Sequence, residues 1–360
     1  MKVLYLTNVP SPYRVEYFNS LSEECQLTVI YEKPASDERD KKWTSTKAGG
    51  YEVIFLRGIS TGVDSSFSFE IIKYLNGNYD VIVLCGISSP TEIIAIEYCK
   101  LKKKRYFLES DGGIAKSGKG LKEWVKKKIV AGASGYFSTC KRHDDYYMAY
   151  GAIKSNLYRY PFSSVLEKDL VKESISKDEK KQIRLRLGIK DDRVILSVGQ
   201  FIYRKGFDVL LQSAAELPHC AFYIVGGEAT IEYLNYVKTL DLHNVFFYGF
   251  KTKEELKEYY DAADLFVLPT REDIWGLVVN EAMSRGLPVI TTDNCNAGLE
   301  MIKDGINGFL IPTNDVTALS NSIKKYFDGD TIEMAKSALE TAKNYTIEKM
   351  VYRHIEVFKD

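Results

Sequence analysis

Two stretches of the chain combine charged side chains and glycine at spacings suited to phosphate and sugar chemistry. In "REDIWGLVVNEAMSRGLPVITT" (271–292), Asp273 and Glu281 flank Trp275-Gly276 just ahead of an apolar helical run. On one helix, residues eight apart lie within about a quarter turn of each other. Core helices rarely carry two inward acids without partners. The preceding "ADLFVLPT" reads as a buried parallel strand. Asp273 then belongs to the loop after that strand and Glu281 to the next helix, where open α/β sheets bind ligands. Amides from 274 to 277 would point toward whatever Asp273 faces. Glu281 is suited to accept a pair of hydrogen bonds from ribose hydroxyls. In "SVGQFIYRKGFDVLLQSAAEL" (197–217), Arg204 and Lys205 precede Gly206 at a strand-to-helix turn. Two cations and free amides at a helix N-terminus suit a diphosphate. Cations there oppose the helix dipole, so an anion is needed to compensate. "IVGGE" (224–228) also ends a strand in glycines, which by itself requires only a turn.

These stretches need a scaffold, and the pattern supplies one. Strand-like runs ("KVLYLTN", "QLTVIYE", "YEVIFLR", "DVIVLCG", "RYFLES", "GYFSTC", "LYRYPF") mostly alternate with helical patterns. A polar stretch, 163–191, interrupts them. Alternation resumes with "RVILSVG", "AFYIVGG", "NVFFYGF", "LFVLPT", "LPVITT" and "NGFLIP". This predicts two Rossmann-like units with parallel sheets. An eight-stranded closed barrel would need the count unbroken. The expected domains are 1–165, joined by a tail helix over 346–360, and 166–345.

The chain has 49 basic and 49 acidic side chains. About 24 basic and 18 acidic residues fall in 1–165, leaving about 25 and 31 for the rest, so the N-terminal half is basic. "KLKKKR" (100–105) reads as a solvated helix face. "GKGLKEWVKKKIV" (118–130) sets Leu121, Trp124, Val125 and Ile129 at helical spacing beside five lysines. It reads equally as a surface helix on anionic lipid or as an ordinary amphipathic helix. The six cysteines are scattered without a CxxC, as expected for reduced thiols in a cytosolic protein. No apolar run is long enough to span a bilayer, and "MKVLYLTNVPSPYR" reads as a first strand rather than a signal peptide. "GIAKSGKG" (113–120) approaches a phosphate-binding loop but ends in Gly120 where Ser or Thr would hold magnesium. "DGD" (328–330) reads as a turn, and the four histidines have no metal spacing.

The segments "SVGQFIYRKGFDVLL", "IVGGE", "NVFFYGF", "EDIWGLVVNEAMSRGLPVI" and "AGLEMIKDGINGFLIP" resemble the GT-B glycosyltransferases of family 4. The likeness runs over 190–327. The family's two acids, seven residues between them, correspond to Asp273 and Glu281. The resemblance implies that Asp273 contacts the donor sugar, Glu281 the ribose, and Arg204 and Lys205 the diphosphate. Gly199, Gln200, Gly227, Phe250, Ile274, Trp275, Gly276 and Leu277 would complete the donor side. Many members have Gly-Arg where this chain has Gly199-Gln200, which leaves Arg204 to supply that charge. "TNVPSPYRVEYFNSL" resembles one branch of the family and puts Pro12, Tyr13 and Arg14 on the acceptor side, with Glu109 and Gly112. A histidine often follows the strand that here reads "RYFLESDGG". Glu109, Ser110 and Asp111 stand in its place, and Asp111 or Glu109 would orient an acceptor hydroxyl.

The resemblance implies a retaining transferase with two Rossmann-like domains facing an inter-domain cleft. It would move a hexosyl-type group from a UDP- or GDP-sugar to a glycan or lipid-linked glycan, without a metal or other cofactor. The expected setting is the cytoplasm, with peripheral contact at the inner face of an anionic membrane and no nucleic-acid partner. The alternatives are a nucleotide-sugar epimerase on the same fold and a binding module that has lost catalysis.

Overall fold

A computed structural model describes residues 1–36, 49–115 and 120–360. They form two compact units, Met1–Ser164 with Thr346–Asp360, and Val165–Tyr345. The first unit opens with β1 (Lys2–Thr7), α1 (Pro12–Leu21), β2 (Gln26–Tyr31) and β3 (Glu52–Phe55). A hairpin that the sequence reading missed, β4 (Ile59–Gly62) and β5 (Ser65–Phe67), leads through α2 (Ile71–Leu75) to β6 (Val81–Leu84). Then follow α3 (Pro90–Leu101), β7 (Tyr106–Glu109), α4 (Leu121–Val130), β8 (Gly135–Ser138), α5 (Lys141–Ala149) and β9 (Leu157–Arg159). The sheet has seven parallel strands in the order β3-β2-β1-β6-β7-β8-β9.

The second unit begins with α6 (Lys177–Leu187), β10 (Val194–Val198), α7 (Phe207–Glu216), β11 (Ala221–Val225), α8 (Ile231–Thr239) and β12 (Val245–Tyr248). It continues with α9 (Lys253–Ala262), β13 (Leu265–Leu268), α10 (Leu277–Ser284), β14 (Val289–Thr292), α11 (Asn296–Met301) and β15 (Gly308–Ile311). Helices α12 (Val316–Asp328) and α13 (Thr331–Ala342) close it, and α14 (Ile347–Lys359) returns to the first unit. Six parallel strands run in the order β12-β11-β10-β13-β14-β15.

Central strands such as "VIVL", "VILSV" and "LFVL" are buried along their whole length, because helices cover both faces of a parallel sheet. Each sheet is wound outward from its first strand and then crosses to that strand's other side, from β3 to β6 and from β12 to β13. Such reversals leave a crevice at the C-terminal strand ends. Helix starts are set by capping boxes at Ser89/Glu92, Ser176/Glu179 and Thr252/Glu255.

One expectation for the basic clusters changes. Part of 100–105 is not a solvated face. The Lys100 ammonium donates to the carbonyls of Lys128 and Ile129 at the end of α4, at 2.6 and 3.0 Å. Arg105 donates to Phe358 and Val357 at the end of α14, at 3.0 and 3.2 Å. Both cations meet helix C-termini, where the dipole favours them. Helix α4 turns Leu121, Trp124 and Val125 outward, at 77%, 58% and 40% exposed, while Ile129 of the same stripe is buried. Part of the 113–120 loop, residues 116–119, lies outside the described residues. Asp330 of "DGD" caps α13 by accepting from the Ile332 and Glu333 amides.

Glu92 caps α3 by accepting from the amides of Ser88 and Ser89 at 2.8 and 2.9 Å. Ser89 in turn donates to the buried Glu32, which also takes the Ser66 amide of the hairpin. Burial first, and the Glu32 charge second, push the Glu92 carboxyl up to about 7. A raised carboxyl contributes stability below its unfolded value that is lost as pH climbs through the folded one. Glu92→Gln keeps the capping oxygen without the charge. Its urea stability relative to wild type should rise by about 1–3 kcal/mol between pH 5 and pH 8.5. Parallel pH profiles for the two proteins would show that Glu92 does not titrate there.

Candidate active site

In the second unit the charged residues gather at the switch between β10 and β13. The chain leaves β10 through Gly199 and Gln200 into a short 3-10 turn, Tyr203–Lys205, and enters α7 at Gly206. Gly206 has φ +69°, and a Cβ on it would lie 2.0 Å from the carbonyl oxygen of Pro269, just past β13. Only glycine permits this approach. The two loops are then sewn together. The Arg204 carbonyl accepts from the Arg271 amide at 2.8 Å and the Thr270 hydroxyl at 2.9 Å.

The contact brings Lys205 Nζ to 2.6 Å from Asp273 Oδ2, with Arg204 Nη1 at 3.6 Å from the same oxygen. Arg204 also donates to the Glu272 carbonyl at 2.8 Å and is 41% exposed at its side chain, against 12% for Lys205 and 10% for Asp273. The anion that the two cations require is therefore Asp273. Arg271, which the sequence reading passed over, forms a two-pronged pair with Asp208 at 2.8 and 2.6 Å and lies 3.9 Å from the centre of the Tyr203 ring. Asp208 thus stands in the first turn of α7, where a carboxylate suits the dipole.

The loop from Asp273 to Gly276 is held by the segment after β14. The Asp273 amide donates to Asn294 and its carbonyl accepts from the Asn296 amide, at 2.9 and 3.2 Å. Asn296 also donates through its side chain to the Ile274 carbonyl at 2.9 Å. Nothing in the sequence pattern had marked Asn294 or Asn296. The Trp275 side chain is buried, and its ring nitrogen donates to Asn280 at 2.8 Å. Ile274 is exposed, Gly276 caps α10, and Leu277 starts that helix, with the Val279 amide donating to the Gly276 carbonyl at 2.9 Å. Gly227 follows β11, and Phe250 is half-buried after β12.

Glu281 is half-buried on α10, and its partner differs from that of Asp273. Its Oε2 accepts from the Tyr260 hydroxyl at 3.0 Å. Burial, then the Glu281 charge, hold the Tyr260 phenol well above its usual range, so it stays a donor. Glu281 also lines a cavity of about 20 Å³ with Asp169, Lys253, Lys257 and Arg285.

The first unit brings Tyr13, Arg14, Glu109 and Asp111 together. Ser11 and Pro12 start α1, which puts Tyr13 and Arg14 in its first turn. The Arg14 guanidinium is buried, pairs with Glu109, and reaches Asp111 Oδ1 at 2.7 Å. The Tyr13 hydroxyl donates to the other Asp111 oxygen. Burial alone would raise the Glu109 carboxyl, but Arg14 and then His354 outweigh it and bring it down to about 2. Glu109 is 1% exposed and has inward partners, so it is an interior counter-ion and not a group for an acceptor hydroxyl. Asp111 retains 34% exposure at its side chain. Ser110 bonds the buried His143 at 2.9 Å, and Gly112 offers its carbonyl to Ser110 at 3.2 Å. Burial lowers His143 to about 3, so it stays neutral.

The two parallel, doubly wound units have the GT-B fold, and the family match of the second unit, with relatives named as glycosyltransferases, places the chain among the glycosyltransferases. Residues 179–345, nearly the whole second unit, match the family described as Glycosyl transferases group 1. The chain is 26% identical over 311 residues to an uncharacterized 41.2 kDa protein in the cps region of Klebsiella pneumoniae, covering 82% of this chain and 83% of that one. It is 31% identical over 188 residues to the amylovoran biosynthesis glycosyltransferase AmsK of Erwinia amylovora, spanning 47% of this chain and 46% of AmsK. The crystal structure of Anabaena Alr3699/HepE in complex with UDP superposes with a TM-score of 0.81 at 16% identity, covering 100% of both chains.

Lys205→Met leaves the Asp273 carboxylate largely buried with only Arg204 nearby. It should cost roughly 1–3 kcal/mol in urea unfolding and weaken UDP binding at least about tenfold by calorimetry. Adding Asp273→Asn should restore most of the stability but not the affinity. Additive losses in the double variant would mean that the two residues are not paired.

Proposed function

We propose that the chain is a retaining, metal-independent glycosyltransferase of family 4. It takes a hexosyl-type group from a UDP- or GDP-sugar and passes it to a glycan or lipid-linked glycan. The observation that carries this reading is the meeting of Arg204 and Lys205 with Asp273 where β10 and β13 diverge. In the reaction the bond between the anomeric carbon and the diphosphate oxygen breaks, and its electron pair leaves with the diphosphate. Arg204 and Lys205 take up that charge, the task a divalent cation would otherwise perform. The acceptor hydroxyl attacks from the same face, and its proton passes to the departing phosphate oxygen. Asp273, released from Lys205 as the diphosphate arrives, holds a sugar hydroxyl and faces the positive charge growing at the anomeric carbon. Glu281 exchanges its bond to Tyr260 for the ribose hydroxyls. On the acceptor side Asp111 orients the hydroxyl, with Arg14 and Tyr13 holding its two oxygens.

The lipid-linked acceptor at an inner membrane face is supported by α4. Leu121, Trp124 and Val125 point outward beside the exposed Lys122, Lys127 and Lys128. Lys126 points the other way, 4.6 and 4.2 Å from the ring centres of Tyr146 and Tyr150, and so does not share in the contact. The name of AmsK, a biosynthesis glycosyltransferase, fits a polysaccharide product.

Asp273→Asn should lower turnover on the order of a hundredfold, about 2.7 kcal/mol, while UDP affinity changes little. The assay is hexose transfer from labelled UDP-hexoses to alkyl glycosides, with the product's anomeric configuration read by NMR. Inversion would overturn the retaining mechanism, and full activity would remove Asp273 from the chemistry. For the membrane, wild type should sediment with phosphatidylglycerol vesicles at low salt and be released at high salt. Each surface lysine contributes about 1 kcal/mol, so reversing Lys122, Lys127 and Lys128 should abolish sedimentation, as should Trp124→Glu. A wild type that stays in solution at low salt would point to a soluble acceptor.

A further inference from the structure

Helix α14 buries Ile347, Met350, Val351, Ile355, Val357 and Phe358 against the first unit, and among them one polar side chain, His354, at 0% exposure. Its ring stacks on Phe137 with centroids 4.1 Å apart and stands edge-on to Tyr160 at 4.7 Å. Nδ1 lies 2.8 Å from the Met350 carbonyl oxygen. A carbonyl only accepts, so Nδ1 carries a proton. Nε2 lies 3.4 Å from Glu109 Oε2, and both atoms are buried without a hydrogen-bond partner among the described residues. With Nδ1 already protonated, a neutral ring would turn the Nε2 lone pair toward a carboxylate held ionised by Arg14. Two acceptors face to face in a buried site are unfavourable. A second proton on Nε2 turns the contact into an ion pair.

We infer that His354 is a protonated positioning residue of the acceptor side, acting through the buried Glu109–Arg14 pair to fix the Asp111 carboxylate. The row runs His354, Glu109, Arg14, Asp111, with alternating charges that sum to zero. The other ionisable groups against the ring are Tyr17 on α1 and Tyr160 after β9. Both phenols are held well above their usual range, by burial first and the Glu109 charge next, so neither competes as an anion. Arg14 divides its guanidinium between two carboxylates. Fixing Glu109 from behind therefore fixes the angle at which Arg14 presents its outer nitrogen to Asp111. The functional consequence rests on the reading of Asp111 as the acceptor-orienting group, but the row itself can be tested without any acceptor.

The test uses the full chain with labelled histidine and aspartate. Long-range nitrogen–proton NMR of His354 at pH 7.5 should show both ring nitrogens protonated; a neutral ring would overturn the proposal. The Asp111 carboxyl carbon is assigned by its loss in Asp111→Asn. In His354→Leu this line should move, and in His354→Gln, whose amide can donate to Glu109, it should return close to wild type. UDP binding by calorimetry should be the same in all variants, which reports that the second unit is intact. If His354→Leu only lowers the melting temperature and the Asp111 line stays put, or if Gln fails to rescue it, His354 is packing alone. Should His354→Leu not fold, the ring measurement on wild type still decides. If the NMR results hold but Asp111→Asn transfers hexose as well as wild type, the row stands and the acceptor role of Asp111 falls.

Discussion

Each sheet is closed at its crossing point by a cation on the loop or helix after its first strand, reaching a carboxylate beyond the strands on the other side. In the second unit it is Lys205 meeting Asp273, and in the first it is Arg14 meeting Glu109 and Asp111. Parallel strands diverging at a reversal leave polar backbone ends and no side-chain core between them. A charge pair there costs desolvation and repays it only with close geometry. That geometry comes from the backbone: Gly206 against Pro269 in one unit, and the proline-started α1 in the other. On the function proposed above, the ions that close the sheet ends are also those that engage the diphosphate and the acceptor hydroxyl, so structure and reactivity draw on one set of charges.

The parallel architecture was legible because its signal is local. A strand buried on both faces must be a short continuous apolar run, and runs such as "VILSV" and "LFVL" sit in the sheets where the sequence put them. The charged loops were legible for the same reason, since Arg204, Lys205 and Asp273 each follow such a run directly. Which of them would pair was not legible, because it depends on strand order. β10 lies beside β13 although two strands and three helices separate them in the chain. The negative charge beside Arg204 and Lys205 is supplied within the chain by Asp273.

The same limit applies to Glu109, the last residue of β7, and to Trp275, in the loop between β13 and α10. Nothing local tells whether the side chain turns to the crevice or to the core. Glu109 turns inward because Arg14 and His354 await it, and Trp275 because Asn280 offers an acceptor. Periodicity also identified the stripe of α4 but not its direction. Tyr146 of α5 and Tyr150 just after it receive the Lys126 ammonium over their rings, while Leu121, Trp124 and Val125 are exposed.

The return of α14 bears on how the chain is made. Val165–Tyr345 intervenes between the first unit's sheet and the helix that completes it. A ribosome emits the segments in that order, so β7 and α1 emerge long before His354 does. Until then Arg14 and Glu109 have no lid, and the aromatic floor of Phe137 and Tyr160 is wet. The second unit, contiguous in sequence, can collapse while still tethered to the ribosome; the first must wait with an open flank. The nascent protein thus holds a contiguous second unit while the first still lacks its last helix.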